Sequence, residues 1–410
     1  MKDKKIIIIP ILSLVICCAA ISGVQAASGS INSAINTYSS TQASVGVSAV
    51  TTDISTGALT TLIDTTDLFS ERDLEQTVDT TSAKKIVMTS GQNTTISEDG
   101  TYVISGSAEN SSIIIDADKE SKVQLVLDNL TIKNTSTHAI YVKKADKVFV
   151  NIDGNNTLAV TGSFTADGET NTDAVIFSKS DIVFNGTGSL EISSTDNGIS
   201  GKDDIKITGG SYTITVKSDA VEAHDSIRIS DGKFTINAGK DAFHSEYDEN
   251  DEVGYIYICG GTFDITAKSD GFQGTTYTII DGGIMNISAG EGIEATGVQI
   301  NNGQITINSS DDGINAARKS SQFDPFREVN GGTTTVNMAQ GDTDAFDSNG
   351  TIIINGGTID INAQSAFDYD YAGKINGGNV TINGTKVSEM TVSGPGGGGG
   401  NRGMGKNIRW

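Results

Sequence analysis

The sequence predicts an all-β fold of stacked short repeats, and three observations carry that expectation. The first is a recurring pattern: apolar, polar, Gly or Asp, Gly, any, apolar, polar, apolar. It reads Ile207-Thr-Gly-Gly-Ser-Tyr-Thr-Ile214, Ile229-Ser-Asp-Gly-Lys-Phe-Thr-Ile236, Ile258-Cys-Gly-Gly-Thr-Phe-Asp-Ile265 and Ile280-Asp-Gly-Gly-Ile-Met-Asn-Ile287. Further copies start at Ile300, Val329, Ile354 and Ile375. Their second glycines are Gly210, Gly232, Gly261, Gly283, Gly303, Gly332, Gly357 and Gly378, in steps of 22, 29, 22, 20, 29, 25 and 21 residues. A base period near 22 with occasional insertions marks a repeat array. The second observation is a period of two inside each copy. Tyr212 and Ile214 alternate with Ser211 and Thr213, as a strand with one buried face requires. The third is composition: 48 Gly against 3 Pro, with 36% hydrophobic and 6% aromatic residues, in 410. That is lean for a compact globule but suits many short strands and tight turns.

About 22 residues holding two or three strands and their corners leave no room for a helix. The Leu/Asn spacing of leucine-rich repeats is missing, as is the Gly-Gly-x-Gly-x-Asp motif of calcium-binding nonapeptide arrays. A parallel β-helix remains, expected to be right-handed. Proline agrees: the single one in the array, Pro325, lies in an insertion, where it removes no ladder hydrogen bond. Less regular repeats precede the array at Gly100–Gly106, Val123–Leu127 and Val148–Ile152. Leu190, Tyr212, Phe234, Phe263, Met285, Ile305, Ile359 and Val380 form one column, expected to stack in the core.

The domain reading follows. Met1–Lys5 is basic, Ile6–Ile21 is apolar apart from Pro10 and Ser13, and Val24-Gln25-Ala26 suits cleavage. Residues 1–26 therefore read as a secretory signal peptide, which implies an extracellular location, free or at the cell surface. Residues 27–80 read as a Ser/Thr-rich extension, 81–393 as the repeat domain and 394–410 as a Gly-rich tail. Export leaves Cys259 as the one cysteine, so no intramolecular disulfide is expected. No segment after residue 26 is apolar for long enough to span a bilayer.

Charge narrows the partners. The formal net charge is −23, and loss of Lys2, Asp3, Lys4 and Lys5 takes it to −25. Such a surface repels nucleic acid and attracts divalent cations. The acids recur in a template of acid, small, apolar, polar ligand. Asp219-Ala-Val-Glu222, Asp241-Ala-Phe-His244, Asp270-Gly-Phe-Gln273, Glu291-Gly-Ile-Glu294, Asp312-Gly-Ile-Asn315 and Asp344-Ala-Phe-Asp347 follow it. Flanking copies are Asp173-Ala-Val-Ile176, Asn197-Gly-Ile-Ser200 and Ser365-Ala-Phe-Asp368, and Asp203 and Asp225 start a third column. Stacked about 4.8 Å apart, two carboxylates repel by roughly 3–4 kcal/mol at an effective dielectric near 20. A cation between repeats relieves this, and Ca²⁺ takes carboxylate, amide and water oxygens together. The expected calcium ligands are thus Asp219, Glu222, Asp241, Asp270, Glu291, Glu294, Asp312, Asp344, Asp347, Asp203 and Asp225. The alternative is an Asx-type turn at each Asp, which leaves Glu291 and the acids three residues on unexplained. Zinc is not expected, because His138, His224 and His244 form no cluster with cysteine.

Phe69-Ser-Glu-Arg-Asp-Leu-Glu75, Gly100-Thr-Tyr-Val-Ile-Ser-Gly106, Val123-Gln-Leu-Val-Leu-Asp128, Asn197-Gly-Ile-Ser-Gly-Lys-Asp-Asp204 and Ala238-Gly-Lys-Asp-Ala242 together resemble one family. It is the secreted bacterial family of carbohydrate-binding β-helix proteins that bind cellulose and acidic sugars and look like polysaccharide lyases. The resemblance covers roughly residues 67–393. It implies a right-handed parallel β-helix, calcium sites and a plant cell-wall-type polysaccharide partner such as cellulose or polygalacturonate. Ala220, Ala242 and Ala345 depart from the family's Asp-Gly-Ile form, and Ser365 lacks the carboxylate.

Three functions fit these features. One is noncatalytic polysaccharide binding, with calcium bridging protein and sugar carboxylates. Another is a calcium-dependent lyase, in which Lys240, Lys202 or the Arg318-Lys319 pair supplies the base. The last is a structural surface protein or adhesin, with the insertions Tyr247–Gly254 and Ala317–Glu328 as recognition loops.

Overall fold

The structure, a computed structural model, describes residues 62–391 apart from Glu169, Asp248 and Asp342. The expected signal peptide, the extension up to residue 61, the Gly-rich tail and the insertion residue Asp248 lie outside the described residues. Among the described residues the fold is all-β, with no helix.

The strands form one 24-stranded and one 12-stranded sheet. Through the regular part of the chain, each strand pairs in parallel with the strand three places further on. Each repeat thereby gives one strand to each of three ladders. The first ladder holds Asp181–Gly186, Ile205–Ile207, Ser226–Ile229 and Tyr255–Ile258 and continues to Ala372–Ile375. The second holds Ser189–Ser194, Ser211–Thr215, Lys233–Ala238 and Thr262–Ala267 and continues to Asn379–Ile382. The third is the 12-stranded sheet, with Asn197–Gly201, Val221–Ala223, Phe243–Ser245 and Asp270–Gly274 among its members. Near the amino end the first two ladders share Lys122–Asn134, which pairs with Lys147–Asp153 and then with Asn155–Val160. Asn129, at φ 54°, lies between the two paired halves. A terminal hairpin, Asn379–Ile382 with Thr385–Val387, and one bridge between Asp167 and Thr170 are the antiparallel exceptions.

The sequence pattern explains these ladders. The Gly-Gly pair forms the corner between the first and second. All eight second glycines have φ between 76° and 139°, where a side chain would be strained. The small position of the acidic template has a different cause. A Cβ on Gly292 would lie 2.4 Å from the Gly313 carbonyl oxygen, and one on Gly313 would lie 2.4 Å from that of Ala345. At these two positions the backbone of the next repeat passes too close even for a Cβ, whereas Ala220, Ala242 and Ala345 carry one at the same place in the template.

The expected core column stacks in register, Leu190, Tyr212, Phe234, Phe263, Met285 and Ile305 each beside the next. It continues through Thr334, a polar member that the pattern hides, to Ile359 and Val380. All are buried. Phe234 and Phe263 stack at 4.8 Å with a 5° interplanar angle. Phe243 and Phe272 meet them edge-on from the third ladder.

Residues 62–76 lie against the first ladder. Leu62 and Leu68 join Tyr257, Tyr277, Ile279 and Phe326 in a satellite apolar cluster. Asp73 is fully buried, with Lys206 Nζ at 3.1 Å and Lys147 Nζ at 3.9 Å. Burial opposes its charge, but the Ser70 backbone N–H and both lysines hold its carboxyl below the usual range. Gln76 accepts from the Gly186 N–H and donates to the Thr208 carbonyl. Asp73→Ala leaves the buried Lys206 ammonium without its partner. It is expected to cost about 3–5 kcal/mol in urea unfolding, and a loss below about 1 kcal/mol would mean that the pair does not anchor this segment.

Candidate functional site

The acidic template lies on the third ladder, and the register lines up its two columns. Asp270 pairs with Glu291 and Asp344 with Ser365 in the first column. Ser200, Glu222, His244, Gln273, Glu294, Asn315 and Asp347 follow one another in the second. One flanking copy is out of step. Ser200 pairs with Phe177, not Ile176, and Asn197 pairs with Ala174. The Asp173 copy therefore brings no ligand to the second column.

First-column carboxylates use one oxygen along the ladder. Asp219 Oδ1 accepts the Asp241 backbone N–H at 2.9 Å, and Asp241 Oδ1 accepts that of Asp270 at 2.8 Å. Asn197 Oδ1 does the same for Asp219, and Asp312 Oδ1 for Asp344. These are bonds between repeats, not turns within one. They orient the second oxygen of each carboxylate.

The eleven expected ligands fall into four groups. Asp219 and Asp241 meet His244, whose Nδ1 lies 3.7 Å from an Oδ2 of each. Beside them Glu222 accepts from Asn197 Nδ2 at 3.0 Å and Ser200 Oγ at 3.1 Å. Burial raises the Glu222 and Asp241 carboxyls. Asp219 goes the other way: burial opposes its charge, but His244 and the Asp241 N–H hold its carboxyl low. Burial likewise disfavours charge on His244, yet Asp219, Glu246 and Asp241 push its ring up to about 10.

Asp270, Glu291 and Glu294 make the second group. Burial pushes Glu291 up to about 8, with repulsion from Glu294 and Asp270 added. Asp270 is also raised, by burial and then by Asp241 and Glu294. Lys319 Nζ reaches Glu294 at 2.6 Å, and Asn315 Nδ2 reaches Glu291 at 3.1 Å. The third group is Asp312, Asp344 and Asp347. Burial lifts Asp312 and Asp347 to about 6 each. Arg327 lies behind them, fully buried in a core column between Val298 and Ile352. It donates to the Ile314 carbonyl at 2.6 Å and stacks 3.8 Å from the Phe346 ring. Its charge favours the ionised form of both Asp312 and Asp347.

Asp203 and Asp225 stand apart in the fourth group, with Asp181 and Asp204. Burial and these neighbours raise Asp203 to about 6 and raise Asp225 as well. They do not extend the first two columns, because the strands of the third ladder end before them. Arg228 already pairs with Asp204 at 2.7 Å, and Lys147 with Asp181 at 3.4 Å.

Such an arrangement can hold cations along one ladder, since buried carboxylates with raised pKa values gain from an added positive charge. All-oxygen sets of Asp, Glu and Asn suit calcium chemically. Of the expected bases, Lys240 is exposed, Lys319 is engaged by Glu294, and Lys202 Nζ lies 2.8 Å from His224 Nε2.

Residues 90–345 match the family described as carbohydrate-binding domain-containing proteins. This chain belongs to that family. A family relative from Acetivibrio thermocellus, a carbohydrate-binding domain-containing protein, is 42% identical over 202 residues. That alignment spans 48% of this chain and 70% of the relative. A solved polysaccharide lyase-like protein from C. thermocellum, a gadolinium derivative, aligns with 30% identity and a TM-score of 0.48. It covers 52% of this chain and 93% of that one. Among the described residues no helix is long and apolar enough to cross a membrane.

Within this family member, sequence reasoning missed three residues of the site. His244 stands at the ligand position of its template, but no cysteine accompanies it, so the histidine pattern alone points to no zinc site. The signal was Asp241-x-x-His244 read across two repeats. Glu246, which meets His244 Nε2 at 2.9 Å, carries no pattern at all. Arg327 breaks an apolar column and was hidden inside an insertion. That insertion is also shorter than expected, because Phe326–Val329 is a strand and Glu328 is buried against Gln299 and Asn355. Both insertions leave the chain between the third and first ladders. They touch through Asp251, which accepts from the Ser321 N–H and from Gln322 Nε2.

Proposed function

We propose that this chain is an exported, noncatalytic polysaccharide-binding protein that holds acidic glycan through calcium on the third ladder. The observation that carries this reading is the ladder itself. Six successive repeats, from Asp219 to Asp347, each present a carboxylate-bearing template in register, with Asp270, Glu291, Asp312 and Asp347 all raised by burial. Membership of a carbohydrate-binding family supports a glycan partner. A net charge of −23 repels a polyuronate, so the attraction must come from a bridging cation. The calcium ligands are then Asp270, Glu291 and Glu294 in one group and Asp312, Asp344 and Asp347 in another, with sugar carboxylates and water completing each ion.

In this reading the three ladders are the faces of a right-handed parallel β-helix. Support comes from the constant pairing of each strand with the third one on, and from the positive-φ glycine at the corner of every regular repeat. Stacked repeats space the ions at a near-constant interval along a polymer that is itself periodic.

The test is a pull-down on insoluble cellulose and on pectate, each with calcium and with chelator. Calcium-dependent retention on pectate is expected, and chelator is expected to abolish it. Retention that survives chelation removes the bridge, and no retention on either polymer removes the reading.

A further inference from the structure

We propose that Asp219, Asp241 and His244 form a site for one divalent transition ion of the zinc class, which they select over calcium. The ligand atoms of the three residues lie within 4.8 Å of one another. Each aspartate is committed at Oδ1 to a backbone N–H of the next repeat, at 2.9 and 2.8 Å. Both Oδ2 atoms are thereby turned to one point, 3.7 Å from His244 Nδ1. Two ligands on one zinc at about 2.0–2.1 Å are roughly 3.3 Å apart in a tetrahedral shell. Closing each His244 contact by about 0.4 Å, and the two carboxylate oxygens by no more than about 1.5 Å, brings all three onto a single ion.

The imidazole is prepared for this role. Its Nε2 meets Glu246 Oε2 at 2.9 Å, and Gln273 Nε2 supports the same oxygen at 3.2 Å. A carboxylate on the far nitrogen is the usual outer partner of a metal-bound histidine: it fixes the tautomer and aims the other lone pair. That other nitrogen, Nδ1, is buried and faces the two Oδ2 atoms at 3.7 Å, beyond hydrogen-bond reach, so an ion entering between them takes the place of the proton that the carboxylates favour there. Both aspartates are more than nine-tenths buried.

Ligand chemistry sets the selectivity. At the same register, other repeats offer Glu222, Gln273, Glu294, Asn315 and Asp347, whose ligand atoms are oxygens. His244 alone offers nitrogen there. Imidazole suits zinc, cobalt, nickel and copper, whereas calcium takes oxygen. Two carboxylates and one imidazole leave room for water or a sugar hydroxyl on the ion. The proposal narrows the metal reading above at one position and stands without the polysaccharide.

The test uses tag-free, chelator-stripped full-length protein, titrated by calorimetry with Zn²⁺ and with Ca²⁺, and with Co²⁺ followed by visible absorption. One Zn²⁺ that an excess of Ca²⁺ does not displace is expected, together with a Co²⁺ spectrum of low coordination number. His244→Gln is expected to weaken that Zn²⁺ by at least about 100-fold, and Glu246→Gln by about 10–100-fold. The second variant keeps the test open if the first does not fold, since Glu246 is half-buried at a strand end. Zinc affinity unchanged in either folded variant, or displacement by equimolar Ca²⁺, overturns the proposal. Pectate retention in calcium alone, measured on His244→Gln, separates the two ideas: the bridge predicts that it survives.

Discussion

Raising the pH of the metal-free protein from about 4 to about 8 is expected to lower its melting temperature, and saturating calcium is expected to reverse the trend. The sign follows from the second and third groups. Asp270, Glu291, Asp312 and Asp347 all have folded-state pKa values above their ordinary ones, with burial the main cause in each case. An acid raised in this way favours the folded state in its protonated form. Its contribution is complete below the unfolded pKa and is lost as pH rises through the folded value, which reaches about 8 at Glu291. Each pKa unit is worth about 1.4 kcal/mol, so the combined loss is on the order of several kcal/mol and several degrees of Tm. Calcium favours the ionised form instead, so its stabilising effect should be small near pH 4 and largest near pH 8. Scanning calorimetry across this range, with chelator and with calcium, measures both slopes. A chelated protein whose Tm is flat or rises over the range would show that these carboxylates are not strained by burial.

Phe263→Ala is expected to cost about 3–5 kcal/mol, the range for removing a fully buried ring. Phe263 lies between Phe234 and Met285 in its column and meets Phe243 and Phe272 edge-on. Its neighbours are held by parallel ladders on both sides, so they cannot collapse into the space. In a repeat array the loss stays with adjacent repeats. Hydrogen exchange should therefore quicken first in Lys233–Ala238 and Ile284–Ala289, before the amino-terminal strands. A variant that loses less than about 1 kcal/mol, or whose exchange rises evenly along the chain, would contradict this packing. Phe263→Leu, which keeps most of the volume, serves as the milder comparison.

Much of this protein was legible because its repeats are short and regular. Local rules act within about eight residues, and the Gly-Gly corner and the two-residue period are such rules. They placed the core column from Leu190 to Val380 and put the acidic templates in two columns. Legibility failed where the relevant contact crosses repeats or joins distant segments. Asp73 and Lys206 are 133 residues apart, and no local pattern announces a buried pair. Asp173-Ala-Val-Ile176 has the spacing of the template, but one residue of register moves it out of step with Asn197-Gly-Ile-Ser200. His244 was visible as a residue but not as a ligand, because its two carboxylates come from different repeats.

The sequence by itself determined the all-β character, the strand-and-corner unit, the stacking of the core and the acid-rich columns. Each depends on side-chain period and backbone freedom, which are properties of neighbouring residues. Only the tertiary structure decided which oxygens are spent on backbone N–H groups and which turn outward. It alone set Lys319 beside the second acidic group, Arg327 beside the third and His244 beside the first. Most of those are distances of a few ångströms between residues of different repeats, and the register of the ladders fixes them.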